Sequence, residues 1–174
     1  MKRKNLLLGG LLLLGIGFAA VSTTLYIQGT VNIKADQEGF QNKVVFKSVS
    51  LNGTDISASA IIDSGKKISF TTEALKSINE TATLKYTIEN TSQYAARIGS
   101  LTCTPTDTTA NTYLTLTATN ALNNTLLAKN ATSTEDTVTV EMIRSYAGTT
   151  GGTGTEEKTY TYECSLPVTA EEVS

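Results

Sequence analysis

The sequence predicts an all-β protein: an Ig-like or jelly-roll β-sandwich of about seven to eight antiparallel strands, preceded by an N-terminal signal or anchor helix. Three observations carry that expectation. Apolar and polar residues alternate with a period of two from Leu25 onward. Threonine, which suits the solvated face of a pleated strand, occurs 31 times in 174 residues. Clusters of Asn, Gly and Ser punctuate the alternating runs as turns would.

The N-terminus is read first. Lys2-Arg3-Lys4 precede Leu6 to Val21, a run without a charge or a strongly polar group. This is the order of a positive n-region and an apolar core of an export signal. The run is short for a spanning helix of roughly 20 residues, and Gly9, Gly10, Gly15 and Gly17 interrupt it. Ala20 and Ser22 are small residues placed for cleavage after Ser22; an uncleaved anchor is the alternative. In either case the positive charges hold the start inside and send the remainder out of the cytoplasm. The expected organisation is 1-22 as signal peptide or anchor and 23-174 as one extracellular domain, secreted or held at the cell surface. The expected partners are the export machinery and a signal peptidase, with membrane contact only through the N-terminal segment.

The strands follow in order. Residues 25–34 place Leu25, Ile27, Val31 and Ile33 on one side. Less regular strands are expected over 43–51, 66–71, 94–103 and 112–119, with turns at Asn52-Gly53 and Ser64-Gly65. In the clearest strand, Ala82, Leu84, Tyr86 and Ile88 alternate with Thr83, Lys85, Thr87 and Glu89. Asn90-Thr91-Ser92 and the polar stretch Pro105 to Asn111 read as turns. Val138, Val140 and Met142 alternate with Thr137, Thr139 and Glu141; Tyr160, Tyr162, Cys164, Leu166 and Val168 alternate likewise near the end. Two short helices are expected, Glu73 to Ile78 capped by Thr72, and Asn120 to Lys129 on the spacing of Leu122, Leu126 and Leu127. Gly148 to Glu157 reads as an exposed hairpin loop.

Composition excludes much chemistry. There is no His, so no His-based triad and no His-ligated zinc or haem site exists in the chain. Beyond Lys2-Arg3-Lys4, 11 basic residues face 16 acidic ones with no basic block, so nucleic acid is not an expected partner. Asp36, Glu38, Asp107, Glu135 and Asp136 are scattered and read as surface charges; no metal, cofactor or catalytic residue is expected. Aromatic residues are too dispersed to suggest a carbohydrate platform. Leu166-Pro167-Val168-Thr169-Ala170 has the look of a wall-sorting signal but lacks an apolar stretch and basic tail behind it. Two cysteines in an exported chain give a candidate disulfide, Cys103 with Cys164, closing a loop of about 60 residues and contributing roughly 4 kcal/mol. Two buried free thiols are the other reading.

The leader, its Lys/Arg start and Gly-interrupted leucines ending at Ala19-Ala20, and Leu25-Tyr26-Ile27 opening the first strand together resemble a known group. So does the Thr/Val run from Thr134 to Met142. The resemblance is to Gram-positive exported biofilm-matrix and surface proteins of the TasA–camelysin type, which are processed by an endoplasmic-reticulum-type signal peptidase. Where that family carries an aromatic-Ser-Asp element, this chain has Ser22-Thr23-Thr24-Leu25-Tyr26. The resemblance implies a matrix-fibre subunit that passes an N-terminal strand into its neighbour, making Leu25, Ile27, Val31 and Ile33 a candidate donor strand and a homopolymer or related matrix proteins the partners. An ordinary first strand paired within its own domain is the alternative. The metalloprotease activity described for camelysin does not carry over, because this chain has no His. Three functional readings stand: a structural subunit of the surface or matrix, an exported adhesion or ligand-binding module, and an enzyme working through two carboxylates.

Overall fold

The computed structural model describes Phe40, residues 42–146 and residues 158–171. The leader, the strand expected over 25–34 and the loop expected over 148–157 lie outside the described residues. What is described is all-β, with every strand pairing antiparallel.

Three sheets form. The first contains β1 (Val44–Leu51), β2 (Thr54–Asp55), β5 (Thr81–Asn90), β8 (Leu114–Ala118) and β11 (Asp136–Met142) in the order β2-β1-β5-β11-β8. A short β10 (Ala131–Thr132) pairs with the end of β5. The second has the order β3 (Ile61–Ile62), β4 (Lys67–Thr71), β12 (Thr161–Ser165) and β7 (Thr102–Pro105). The third is β13 (Val168–Glu171), β6 (Ala95–Ile98) and β9 (Leu126–Leu127).

Alternation explains the longest strands. Ala82, Leu84, Tyr86, Ile88 and Asn90 are buried on one face of β5, and Asp136, Val138, Val140 and Met142 on one face of β11. β1 looked irregular because it bulges: Phe46 opposes Ile88 but Ser48 opposes Thr87, so Lys47 is an extra residue and the inward set moves from Val44 and Phe46 to Val49. Inward side chains from all three sheets join one apolar cluster that includes Phe46, Ile68, Leu84, Ile98, Val138 and Tyr162. Asn52-Gly53 forms the expected two-residue hairpin turn between β1 and β2, with both residues at positive φ.

Two of the expected strands change sheet midway. The run 94–103 divides into β6 and β7, and the run ending at Val168 divides into β12 and β13. The two breaks face each other, three residues (Gly99–Leu101) opposite two (Leu166–Pro167), so one long ribbon bends from the second sheet into the third. Pro167 has no N–H to give to a ladder. Its carbonyl accepts from the Gly99 N–H at 2.8 Å. A Cβ on Gly99 would lie 2.5 Å from the Pro167 ring, so only glycine permits this approach.

Both expected helices are absent, and each for a local reason. Over Glu73 to Ile78, the Lys76 and Ser77 N–H groups donate to the Glu80 carboxylate at 2.5 and 3.1 Å, and Thr72 is buried with its N–H on the Tyr160 carbonyl instead of capping. Over Asn120 to Lys129, Asn120 and Asn124 take left-handed φ values of 52° and 61°, which end helical hydrogen bonding, and β9 follows. A four-residue α-helical turn, α1 (Ser57–Ala60), was not expected from the sequence. The nearest described strands on either side of the expected hairpin loop, β11 in the first sheet and β12 in the second, do not pair with each other.

Candidate functional site

The candidate site is the open half of β1. On one side β1 pairs with β5 along its length; on the other, β2 reaches only Ser50 and Leu51. Beyond them, Val49 is satisfied by Ser57, whose Oγ accepts from the Val49 N–H at 2.8 Å. From Val44 to Ser48 no strand among the described residues covers this edge. Beside it opens an apolar cavity of about 230 Å³, lined by Val44–Phe46, Ile88, Gly65, Lys66 and the corner Leu166–Val168.

The sequence builds each wall of that cavity for a reason. The turn Asp63–Gly65 runs at positive φ throughout, and Gly65, at φ 85°, lies so close to β1 that a Cβ there would stand 2.7 Å from the Val45 Cβ. Pro167 supplies the opposite wall because the ribbon bends there. Lys47, the bulged residue, turns outward to Glu89 at 2.6 Å and to the Thr132 hydroxyl at 3.2 Å. Lys66 stands exposed at the rim. The cavity is therefore apolar within and cationic at its margin, a shape that receives an apolar side chain from an extended segment.

The candidate donor residues Leu25, Ile27, Val31 and Ile33 lie outside the described residues. Cys103 and Cys164 are direct cross-strand partners on β7 and β12 and form a disulfide, with Cα atoms 4.0 Å apart. Asp107 caps the turn Thr108–Thr112, accepting from the Thr109 N–H at 2.9 Å. Glu135 is exposed near Lys85. Among the described residues no group of three His, Cys, Asp or Glu side chains is placed to hold a metal, and no helix is long and apolar enough to cross a membrane.

Asp136 corrects the sequence reading. It is no surface charge: it is 2% exposed. Its Oδ2 accepts from the Tyr86 hydroxyl and the Leu122 N–H, each at 3.1 Å, and its Oδ1 accepts from the Thr119 hydroxyl and from the Thr137 N–H at 2.7 Å. Burial pushes the carboxyl pKa up, but the bonds from Thr119, Leu122, Thr137 and Ala121 outweigh it and hold the pKa below the ordinary value. Burial, with the neighbouring Asp136 charge, raises the Tyr86 phenol. Asn90, read as a turn residue, is likewise fully buried; its Nδ2 donates to the carbonyls of Tyr94, Leu127 and Ala128 and its Oδ1 accepts from Ser92, fastening β5 to the third sheet. Both were findable. Each continues the inward parity of its strand by one step.

The aromatic residues are also less dispersed than the sequence suggests. Tyr113 and Tyr146 meet edge to face at 5.4 Å, and the Lys158 ammonium lies 5.9 Å from the Tyr146 ring and 4.9 Å from the Tyr160 ring. Lys158 also approaches Asp107 at 3.8 Å and the Thr109 hydroxyl at 3.3 Å. Compared with known proteins, the chain matches no family model, and neither curated proteins nor solved structures match it.

Proposed function

We propose that this chain is a non-enzymatic structural protein of the cell surface or extracellular matrix, an exported β-sandwich that polymerises by donating its N-terminal strand. The observation that carries the reading is the half of β1 that no strand among the described residues pairs with, beside an apolar cavity of about 230 Å³. Residues 25–34 carry Leu25, Ile27, Val31 and Ile33 on one side and are followed by the short polar link Asp36-Gln37-Glu38. Such a segment fits this edge whether it comes from its own chain or from a neighbour. Passed to a neighbour, it makes a heterologous contact that does not close, and filaments result. The leader and the resemblance to TasA–camelysin-type proteins agree with export, with the leader removed before assembly.

An exported adhesion or ligand-binding module is the second reading. It is favoured by the cluster of the Lys158 ammonium with the Tyr146 and Tyr160 rings, and of Tyr113 against Tyr146, a patch of aromatic and cationic groups of the kind binding surfaces use.

Electron microscopy and light scattering on the protein recovered from the secreting cell test the first reading. Regular unbranched fibres are expected. Deletion of Leu25 to Lys34 should abolish fibres and leave a protein that accepts the same segment as a peptide, and Ile27→Asp or Val31→Asp should weaken assembly by burying a charge. A protein that forms no fibres at high concentration, with residues 25–34 protected from hydrogen exchange within their own chain, would make the adhesion reading the better one.

A further inference from the structure

The opposite border of the first sheet is β8, and it is built differently from every other border. Protected sheet edges carry charges, proline, bulges or very short strands. Among the described residues, β13 carries Glu171 bound to Arg97, β7 contains Pro105 and a disulfide, β9 and β3 are two residues long, and β1 is bulged at Lys47. β8 has none of these. It runs five residues against β11 without a register shift, and its sequence Leu114-Thr115-Leu116-Thr117-Ala118 lies within a stretch, Thr108 to Ala128, that contains no charged residue.

The backbone groups on that border can be assigned. The Thr119 N–H donates to the Thr137 carbonyl at 3.0 Å, and the Tyr113 carbonyl accepts from the Ile143 N–H at 2.8 Å. In an antiparallel ladder the bonding direction alternates, so residues 113, 115, 117 and 119 bond toward β11. Leu114, Leu116 and Ala118 therefore point their N–H and C=O groups away from the sheet, where no strand among the described residues meets them.

We propose that β8 pairs antiparallel with β8 of a second copy about a two-fold axis at Leu116, making the first sheet continuous across a dimer. The strand is close to a palindrome, so self-pairing matches like with like. Leu116 faces the partner's Leu116, Leu114 faces the partner's Ala118, and Thr115 faces the partner's Thr117. Each of the three outward-pointing residues finds a partner with which it exchanges two hydrogen bonds. The charge balance points to a second copy over a foreign strand. Beyond the first four residues the chain carries 11 basic and 16 acidic residues, so copies repel over most of the surface and least along this neutral border. A charged guest strand would meet no counter-charge there. The contact is isologous and closes at two copies, so it does not depend on strand donation at β1.

Hydrogen exchange on the full chain, followed as protein concentration is raised, tests the pairing. The Leu114, Leu116 and Ala118 amides should slow by about tenfold or more as dimer accumulates, while the Thr115 and Thr117 amides, already bonded to β11, change little. Two variants act on the border without touching the β11 ladder. Thr117→Lys places a charge on an exposed face, and Ala118→Pro removes an outward N–H. Both should melt as the dilute parent does and lose the concentration dependence. The proposal is overturned if the three amides exchange at one rate at all concentrations, or if both variants dimerise as the parent does.

Discussion

β7 and β8 follow one another in the chain, and each borders a sheet, but they are secured in different ways. β7 borders the second sheet. It is four residues long, ends in Pro105 and is tied to β12 by the Cys103–Cys164 disulfide. β8 borders the first sheet with no covalent tie, no proline and no charge. What fixes β8 is a buried group at its end: the Thr119 hydroxyl bonds to Asp136, whose other oxygen takes the Leu122 N–H of the following turn. A covalent staple with proline makes an edge permanent and unattractive to other strands. A buried carboxylate also ties a strand end down, yet leaves its outer hydrogen-bonding groups available. The second arrangement is the one the proposed pairing of β8 requires.

The largest effect expected from breaking this comparison is on the stapled edge. Replacing both cysteines, Cys103→Ser with Cys164→Ser, should cost about 4 kcal/mol in urea denaturation, given the sequence separation of 61 residues. Hydrogen exchange should rise over residues 102–106 and 161–165 while β8 keeps its protection; equal loosening of both borders would show that they are not independent.

The second change sharpens the other half. Asp136→Asn must place an amide NH₂ or lose an acceptor where the Leu122 N–H donates, leaving a buried donor unpaired, and should cost about 3 kcal/mol. Its pH signature has a defined sign. The folded pKa of Asp136 is lowered, so its stabilisation is complete above the unfolded value of about 4 and is lost as pH falls through the folded value. Denaturation midpoints measured from neutral pH downward should fall more steeply for the parent than for the variant.

The smallest effect belongs to the third border, the partly open β1. Gly65→Ala forces a side chain onto a φ of 85° and against Val45, and should cost about 2 kcal/mol. Thermal melting of this variant, compared with a Gly53→Ala variant that has the same backbone sign but open space around it, separates the clash from the backbone term.

The sequence made β5 and β11 legible because each has one buried face, and a buried face writes a period of two into the residues. The same parity already marked Asp136 and Asn90 as inward, although the polarity of their side chains argued for the surface. Their burial depends on partners that arrive from far along the chain: the Tyr86 hydroxyl, which donates to Asp136, and the Leu127 and Ala128 carbonyls, which accept from Asn90. The two absent helices failed for local reasons. Leucine spacing spoke for them, but the Glu80 carboxylate and two left-handed asparagines took the backbone elsewhere.

By itself, then, the sequence determined an all-β chain, the faces of its main strands and the turn at Asn52-Gly53, all of which rest on interactions among residues a few positions apart. Only the tertiary structure decided that two long runs bend together from one sheet into another. The bend requires Gly99 to meet Pro167, residues far apart in the chain, at a separation no other side chain would allow. It also decided which borders are sealed and which are open. That property belongs to the neighbours a strand acquires, and no pattern within the strand records it.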